Sequence, residues 1–120
     1  MTIPTNVSFS KNGSRLTTRC TAENGDKITI TYYTNSGSMV CKVNGEVPSD
    51  LGMLRENNFA TYLRGLALWG RITVTKAESM IHALDDLPLR SESQCSGSVE
   101  WVQDGLLYGH SGYPKIVYEN

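Results

Sequence analysis

The sequence predicts an α+β fold: an N-terminal antiparallel β-meander of about four strands, packed on a central helical pair, with a C-terminal β-hairpin. Three observations carry the prediction. Residues 6–43 alternate apolar and polar side chains between turn signals, the period of a half-buried strand. Residues 50–87 space apolar side chains three and four apart, the period of a helix. Residues 99–103 and 115–119 return to strand-like composition around a glycine-rich connection. Strands, helices and strands in that order, over 120 residues, argue for one domain, 1–120, built in two layers.

In the meander, Val7 and Phe9 alternate with serines, and Lys11-Asn12-Gly13 marks the first turn. Leu16, Thr18 and Cys20 alternate with Arg15, Thr17 and Arg19 before Asn24-Gly25. Ile28, Ile30 and Tyr32 alternate with Thr29, Thr31 and Tyr33 before Asn35-Ser36-Gly37. Met39, Cys41 and Val43 alternate with Val40 and Lys42. Asn and Gly accept the positive φ angles of tight hairpin turns. Alternation of period two implies one buried face and one wet face. The expected buried set is Phe9, Leu16, Ile28, Ile30, Met39 and Val43, with the helical pair as its cover.

The first helix is expected over 50–69, with Phe59, Tyr62, Leu63 and Leu66 on one face and Gly70 as its C-terminal stop. The second is expected over 76–86. Thr75 and Glu78 have the spacing of a capping box, and Ala77, Met80, Ile81 and Leu84 form an apolar stripe that Pro88 ends. The linker Gly70-Arg71-Ile72-Thr73-Val74 is short, so the helices should lie as a close pair. Residues 90–98, rich in serine, read as an exposed loop. Pro114 directs the last strand to a sheet edge.

A composition 39% hydrophobic and 19% charged excludes disordered and fibrous classes. No apolar run is long enough to cross a bilayer. Met1-Thr2-Ile3-Pro4 lacks the basic segment and apolar core of a signal peptide, which agrees with a cytoplasmic product. Cys20, Cys41 and Cys95 are odd in number and lack a CxxC spacing, so reduced thiols are expected; a Cys20–Cys41 bridge stays open if their strands are neighbours. The net charge of −1 gives no global field for nucleic acid. Its distribution is uneven, basic in the first part and acidic in the last.

Chemistry-bearing constellations are few, and no cofactor is implied. Glu78 and His82 share a helix face, but further metal ligands at a recognisable spacing are missing. His110 and Ser111 are adjacent, with Glu100 and Asp104 as conceivable orienting groups; the motif context of a nucleophile–base pair is missing. A flexible turn is the plainer reading. Arg15, Arg19, Tyr33 and Lys42 are expected together on the outer sheet face. Cations beside an aromatic ring are what single-stranded nucleic acid needs, charge for phosphates and a ring for stacking. The acidic counterpart is Asp85, Asp86, Glu92, Glu100 and Asp104, with Trp101, Tyr108 and Tyr113 as aromatic anchors for a protein interface.

Two resemblances add to this. Trp101-Val102-Gln103-Asp104-Gly105, followed by Gly112-Tyr113-Pro114 and Asn120, resembles one copy of a MORN-like repeat and implies a β-hairpin. In type, a motif-free domain with a meander and a helical pair resembles the small accessory proteins of phages and mobile elements, anti-CRISPR and other anti-defence inhibitors among them. That resemblance implies a non-enzymatic inhibitor in the bacterial cytoplasm. It would occupy the surface of a defence or nucleic-acid-processing protein through the acidic, aromatic hairpin and the adjoining helix ends. Nucleic-acid binding on the sheet face and a toxin-neutralising immunity protein are the alternatives.

Overall fold

The structure is a computed structural model that describes residues 2–47, 59–86, 94–103 and 112–119. The described residues form six strands and two helices: β1 (Thr2–Asn12), β2 (Arg15–Thr21), β3 (Lys27–Tyr33), β4 (Met39–Val43), α1 (Phe59–Leu68), α2 (Val74–Asp86), β5 (Gln94–Val102) and β6 (Tyr113–Glu119). The strands make one antiparallel sheet in the order β4-β3-β2-β1-β5-β6. The fold class is α+β as predicted, and the C-terminal hairpin is the β5–β6 pair.

Both helices lie on one face of the sheet. Helix α2 packs across β1, β2, β5 and β6 and against α1. Helix α1 reaches the β3–β4 side, where the Cys41 thiol donates to the Tyr62 hydroxyl at 3.0 Å and Phe59 meets Tyr32 edge-on at 5.5 Å. The core between the layers holds Val7, Phe9, Leu16, Ile28, Ile30 and Val99 from the sheet. Tyr62, Leu63, Leu66, Met80, Ile81 and Leu84 close it from the helices. Phe9, Leu16, Ile28 and Ile30 are buried as expected, while Met39 and Val43 at the sheet edge are half-buried.

Local chemistry explains the element ends. Asn44 and Gly45 both have positive φ, 55° and 84°, as a two-residue turn needs, and they fold the chain after β4 so that Val43 bridges Glu46. Helix α1 ends in a Schellman motif. The Gly70 N–H bonds the Ala67 carbonyl at 3.0 Å, and the Arg71 N–H bonds the Leu66 carbonyl at 2.9 Å. Gly70 supplies the required positive φ of 75°.

Three expectations are corrected, and one open alternative is closed. The cap of α2 is Thr73, whose hydroxyl accepts the Lys76 N–H at 3.2 Å; Thr75 lies inside the helix and Glu78 turns to Arg64 instead. The first strand begins at Thr2, ahead of residue 6, and crosses an irregularity between Pro4 and Val7 where Asn6 has φ 60°. The part of the serine-rich segment that is described, 94–98, is strand. It pairs with β1 on one side and β6 on the other, so non-local backbone hydrogen bonds override a loop-like composition. The Cys20–Cys41 bridge left open by the sequence is excluded: the two are separated by β3, opposite Ile28 and Ile30 respectively, and none of the three cysteines forms a disulfide. Two strand spacings, roughly 10 Å, exceed the reach of a disulfide. The expected first half of the helix over 50–69 lies outside the described residues up to Phe59.

Gly97 shows why that segment carries glycine. It faces the core between Phe9 and Tyr118 in one cross-strand row. A Cβ there would collide with the Val117 carbonyl and the Phe9 ring. Its absence lets Phe9 and Tyr118 meet edge to face at 5.6 Å.

The two candidate caps give a direct test. Thr73→Ala should lower unfolding free energy by about 1 kcal/mol, read from the urea midpoint, because the Lys76 N–H loses its partner. Thr75→Ala should cost less than half of that; the reverse ranking would restore the cap read from the sequence.

Candidate functional site

The uncovered face of the sheet gathers the positive charge. Alternation along β2 sends Leu16, Thr18 and Cys20 into the core and leaves Arg15 and Arg19 exposed on the other side. On β3 the same alternation buries Ile28 and Ile30 and turns Lys27, Thr29, Thr31 and Tyr33 outward. The register then sets the neighbours. Arg15 stands opposite Tyr33, Arg19 opposite Thr29, and Thr29 opposite Lys42 of β4. Arg15, Arg19, Tyr33 and Lys42 therefore line one shallow concavity of about 350 Å³, floored by the hydroxyls of Ser10, Thr17, Thr29 and Thr31. Its described lining residues include no carboxylate. Tyr33 is 36% exposed.

A second hollow of about 210 Å³ continues past Arg19 and Thr29 to Ser8 and Lys27. Lys27 was not among the residues singled out from the sequence for this face. The signal was present, because the alternation of 27–33 already puts position 27 on the wet side with Thr29 and Thr31. At that end Asp26 is held by Asn24 and Asn44 through side-chain hydrogen bonds of 3.1 and 3.0 Å.

The acidic residues do not form one surface among the described residues. Asp85 is exposed on α2 in the helical layer, close enough to Arg64 to support its charge. Asp86 is the last residue of α2. Glu100 lies on the opposite side of the sheet, facing Lys115 across the β5–β6 ladder. Tyr113 is exposed on that same outer side, opposite Val102. Trp101 is only 7% exposed and packs over the inner side, so it is no free interface anchor. It borders a cleft of about 380 Å³ near the β1 irregularity, where Lys76 is already paired with Glu23 at 2.7 Å. Glu92, Asp104 and Tyr108 lie outside the described residues, as do His110 and Ser111.

A different apolar surface appears at the α1–α2 turn. Leu68 is 85% exposed, Trp69 54% and Val74 66%. Beside them runs a groove of about 340 Å³, floored by Ala67 and Ala77 and walled by Leu68 and Val74. Arg64 and Glu78 bound it and join in a two-pronged ion pair of 2.9 and 3.4 Å. The Arg64 guanidinium is held above its ordinary pKa first by its hydrogen bond to Glu78 and further by Asp85. Glu78 is thereby engaged away from His82, and no three metal-ligating side chains converge among the described residues.

Two of the three thiols, Cys20 and Cys41, are protected by burial. Burial pushes the Cys20 thiol from 9.0 up to about 11, against the opposing pull of Lys76. Burial also raises Cys41, partly offset by its hydrogen bond to Tyr62. A neutral, buried thiol is neither a nucleophile nor a metal ligand at neutral pH.

Fold and surfaces together define a two-layer α+β protein with a bare, hydroxyl-paved sheet face and an apolar helical end. Comparison with protein-family models, curated proteins and solved structures finds no match, so the surfaces carry the functional argument by themselves. No helix among the described residues is long and apolar enough to cross a membrane.

The buried thiols predict an alkaline limit. Folding favours the protonated thiol, so the folded chain holds that proton more tightly than the unfolded chain. Stability from this source is complete below pH 9 and falls as pH rises toward 11. Cys20 alone should cost about 2–3 kcal/mol across that window. The measurement is the urea midpoint at several pH values for the native chain and Cys20→Ala. The variant should start less stable and show a shallower alkaline fall; identical slopes would contradict the assignment.

Proposed function

We propose that this chain is a non-enzymatic binding protein that acts by covering part of a partner protein's surface, with the α1–α2 turn as its docking end. The observation that carries the reading is the exposure of Leu68, Trp69 and Val74 together at one end of the helical layer. Large apolar side chains that leave the core at one place are costly to hydrate and are repaid by burial against another protein. Tryptophan and arginine are the side chains most often found as anchors of such interfaces, and Trp69 and Arg64 both belong to this end. The complementary partner surface is an apolar cleft with polar groups at its rim, able to receive Leu68 and Trp69 and to meet the Arg64–Glu78 pair.

The partner class rests on the resemblance in type to small phage-borne inhibitors. On that basis it is a bacterial defence or nucleic-acid-processing protein met in the cytoplasm. The docking end proposed here replaces the acidic hairpin read from the sequence, because Asp85 and Glu100 stand on opposite layers. Inhibition would then be steric: the helical layer occludes what it lands on.

The test is affinity capture from a bacterial lysate with three immobilised proteins: the native chain, Leu68→Glu/Trp69→Ser, and Arg15→Ala/Arg19→Ala. A discrete protein should be retained by the first and third. The tip variant should lose it, with affinity down by tenfold or more, about 1.4 kcal/mol or above. Both variants alter exposed positions and should keep the native unfolding midpoint. Retention unaffected by the tip variant, or no retained protein, contradicts the proposal.

A further inference from the structure

We infer that the bare face of the β1–β4 half-sheet is a binding site for single-stranded nucleic acid, independent of the helical docking end. Four cations point outward from three adjacent strands: Arg15 and Arg19 of β2, Lys27 of β3 and Lys42 of β4. Arg15 and Arg19 are four residues apart on one strand, roughly 13 Å, and Lys42 is two strands across from Arg19, roughly 10 Å. Those separations place the cations as a spread track, which suits a run of phosphates better than one isolated anion. The two hollows meet at Arg19 and Thr29, so the track is continuous from Arg15 and Tyr33 to Lys27.

Three further features select the ligand. Arg15, Arg19, Lys27 and Lys42 are exposed and make no ion pair among the described residues, so their charge is available to an incoming anion. Between them lies a floor of serine and threonine hydroxyls that can donate to phosphate oxygens and accept from sugar hydroxyls. Tyr33 stands opposite Arg15 with its ring partly open to solvent, a platform on which a base can stack. A duplex keeps its bases stacked inside and offers that ring nothing, whereas a single strand presents its bases directly.

The other half of the same face marks where the ligand stops. Glu100 of β5 and Glu119 of β6 lie on the outer side there with Lys115, which faces Glu100 across the ladder. Two carboxylates against one cation make that half less attractive to phosphate than the four cations of β2–β4. The site then takes only a few nucleotides, three or four phosphates for four cations.

The size of the effect follows. Neutralising three or four phosphates of a single strand gives a slope of log affinity against log salt of about −2 to −3. Affinity should therefore fall about 15- to 50-fold between 50 and 200 mM salt, from a dissociation constant in the micromolar range.

The probe is a fluorescein-labelled oligo-deoxythymidine of about 12 nucleotides, titrated with the full chain and read by anisotropy. The expected results are binding with that salt slope and a slope shallower by roughly 0.7 for each cation lost in Arg19→Ala and Lys42→Ala. Tyr33→Leu should weaken binding about tenfold while leaving the slope unchanged, a split that a merely structural role would not produce. Leu68→Glu/Trp69→Ser should bind the oligonucleotide normally. The inference is overturned by absent binding, by a salt-independent affinity, by native slopes in both cation variants, or by a duplex of the same length binding as well as the single strand.

Discussion

Strand β1 pairs on both sides, with β2 through a local turn and with β5 across a long loop of chain, and this double pairing is the constraint the rest of the fold obeys. The Thr5 hydroxyl bonds the Val99 carbonyl across 94 residues of sequence. Closing so long a loop costs about 3 kcal/mol more than closing a two-residue turn, since each doubling of length adds about 0.6 kcal/mol. That cost is offset where the strands meet, because Val7, Phe9 and Val99 are buried there. Each such burial contributes roughly 1.5–3 kcal/mol. Without β5 beside β1, the meander and the terminal hairpin would be two small sheets, and α2 could not lie across both.

Among the described residues only one face of the sheet is roofed, and the chain's surface chemistry follows from that. The outer side must be wet, so it is paved with Ser8, Ser10, Thr17, Thr29, Thr31, Ser96 and Ser98 and carries the charges. The basic residues of the first part gather on the outer side of β2–β4, whereas the acidic residues of the last part are split between that side and the helical layer. The helical layer answers to a different physics. Its inner stripe is spent on the core, and the turn between α1 and α2 is left with Leu68, Trp69 and Val74 in solvent. The two surfaces belong to different layers and rest on different interactions, charge on one and apolar burial on the other. The two proposed activities are therefore separable by mutation.

Much of this was legible in the residues. Period-two alternation from Val7 to Val43 implies both the meander and its buried side, and it puts Arg15, Arg19, Tyr33 and Lys42 on one face, where the concavity gathers them. Gly70 announced its own stop. What was misread depends on partners distant in sequence. Residues 94–98 look like a loop because serine and glycine are weak strand formers, yet pairing on both sides makes them strand. The acidic residues are near in sequence and so read as one group, whereas Asp85 and Glu100 are parted by the sheet. Thr73 and Thr75 are both competent caps, and only the point at which the chain leaves the α1 turn chooses between them. The exposure of Leu68 and Val74 left no local signature, since each fits an apolar pattern that the core happens not to use.

The division of the sheet into a covered and a working side is best tested by methyl resonances of β3 during titration with the single-stranded oligonucleotide. Along this one strand Ile28 and Ile30 point to the core, while Thr29 and Thr31 point to the hollow between Arg19 and Lys42. The account predicts that the Thr29 and Thr31 methyl signals move and saturate, while those of Ile28 and Ile30, and of Leu68 at the far helical end, stay in place. Equal movement of the isoleucine methyls, or movement confined to Leu68, would contradict it.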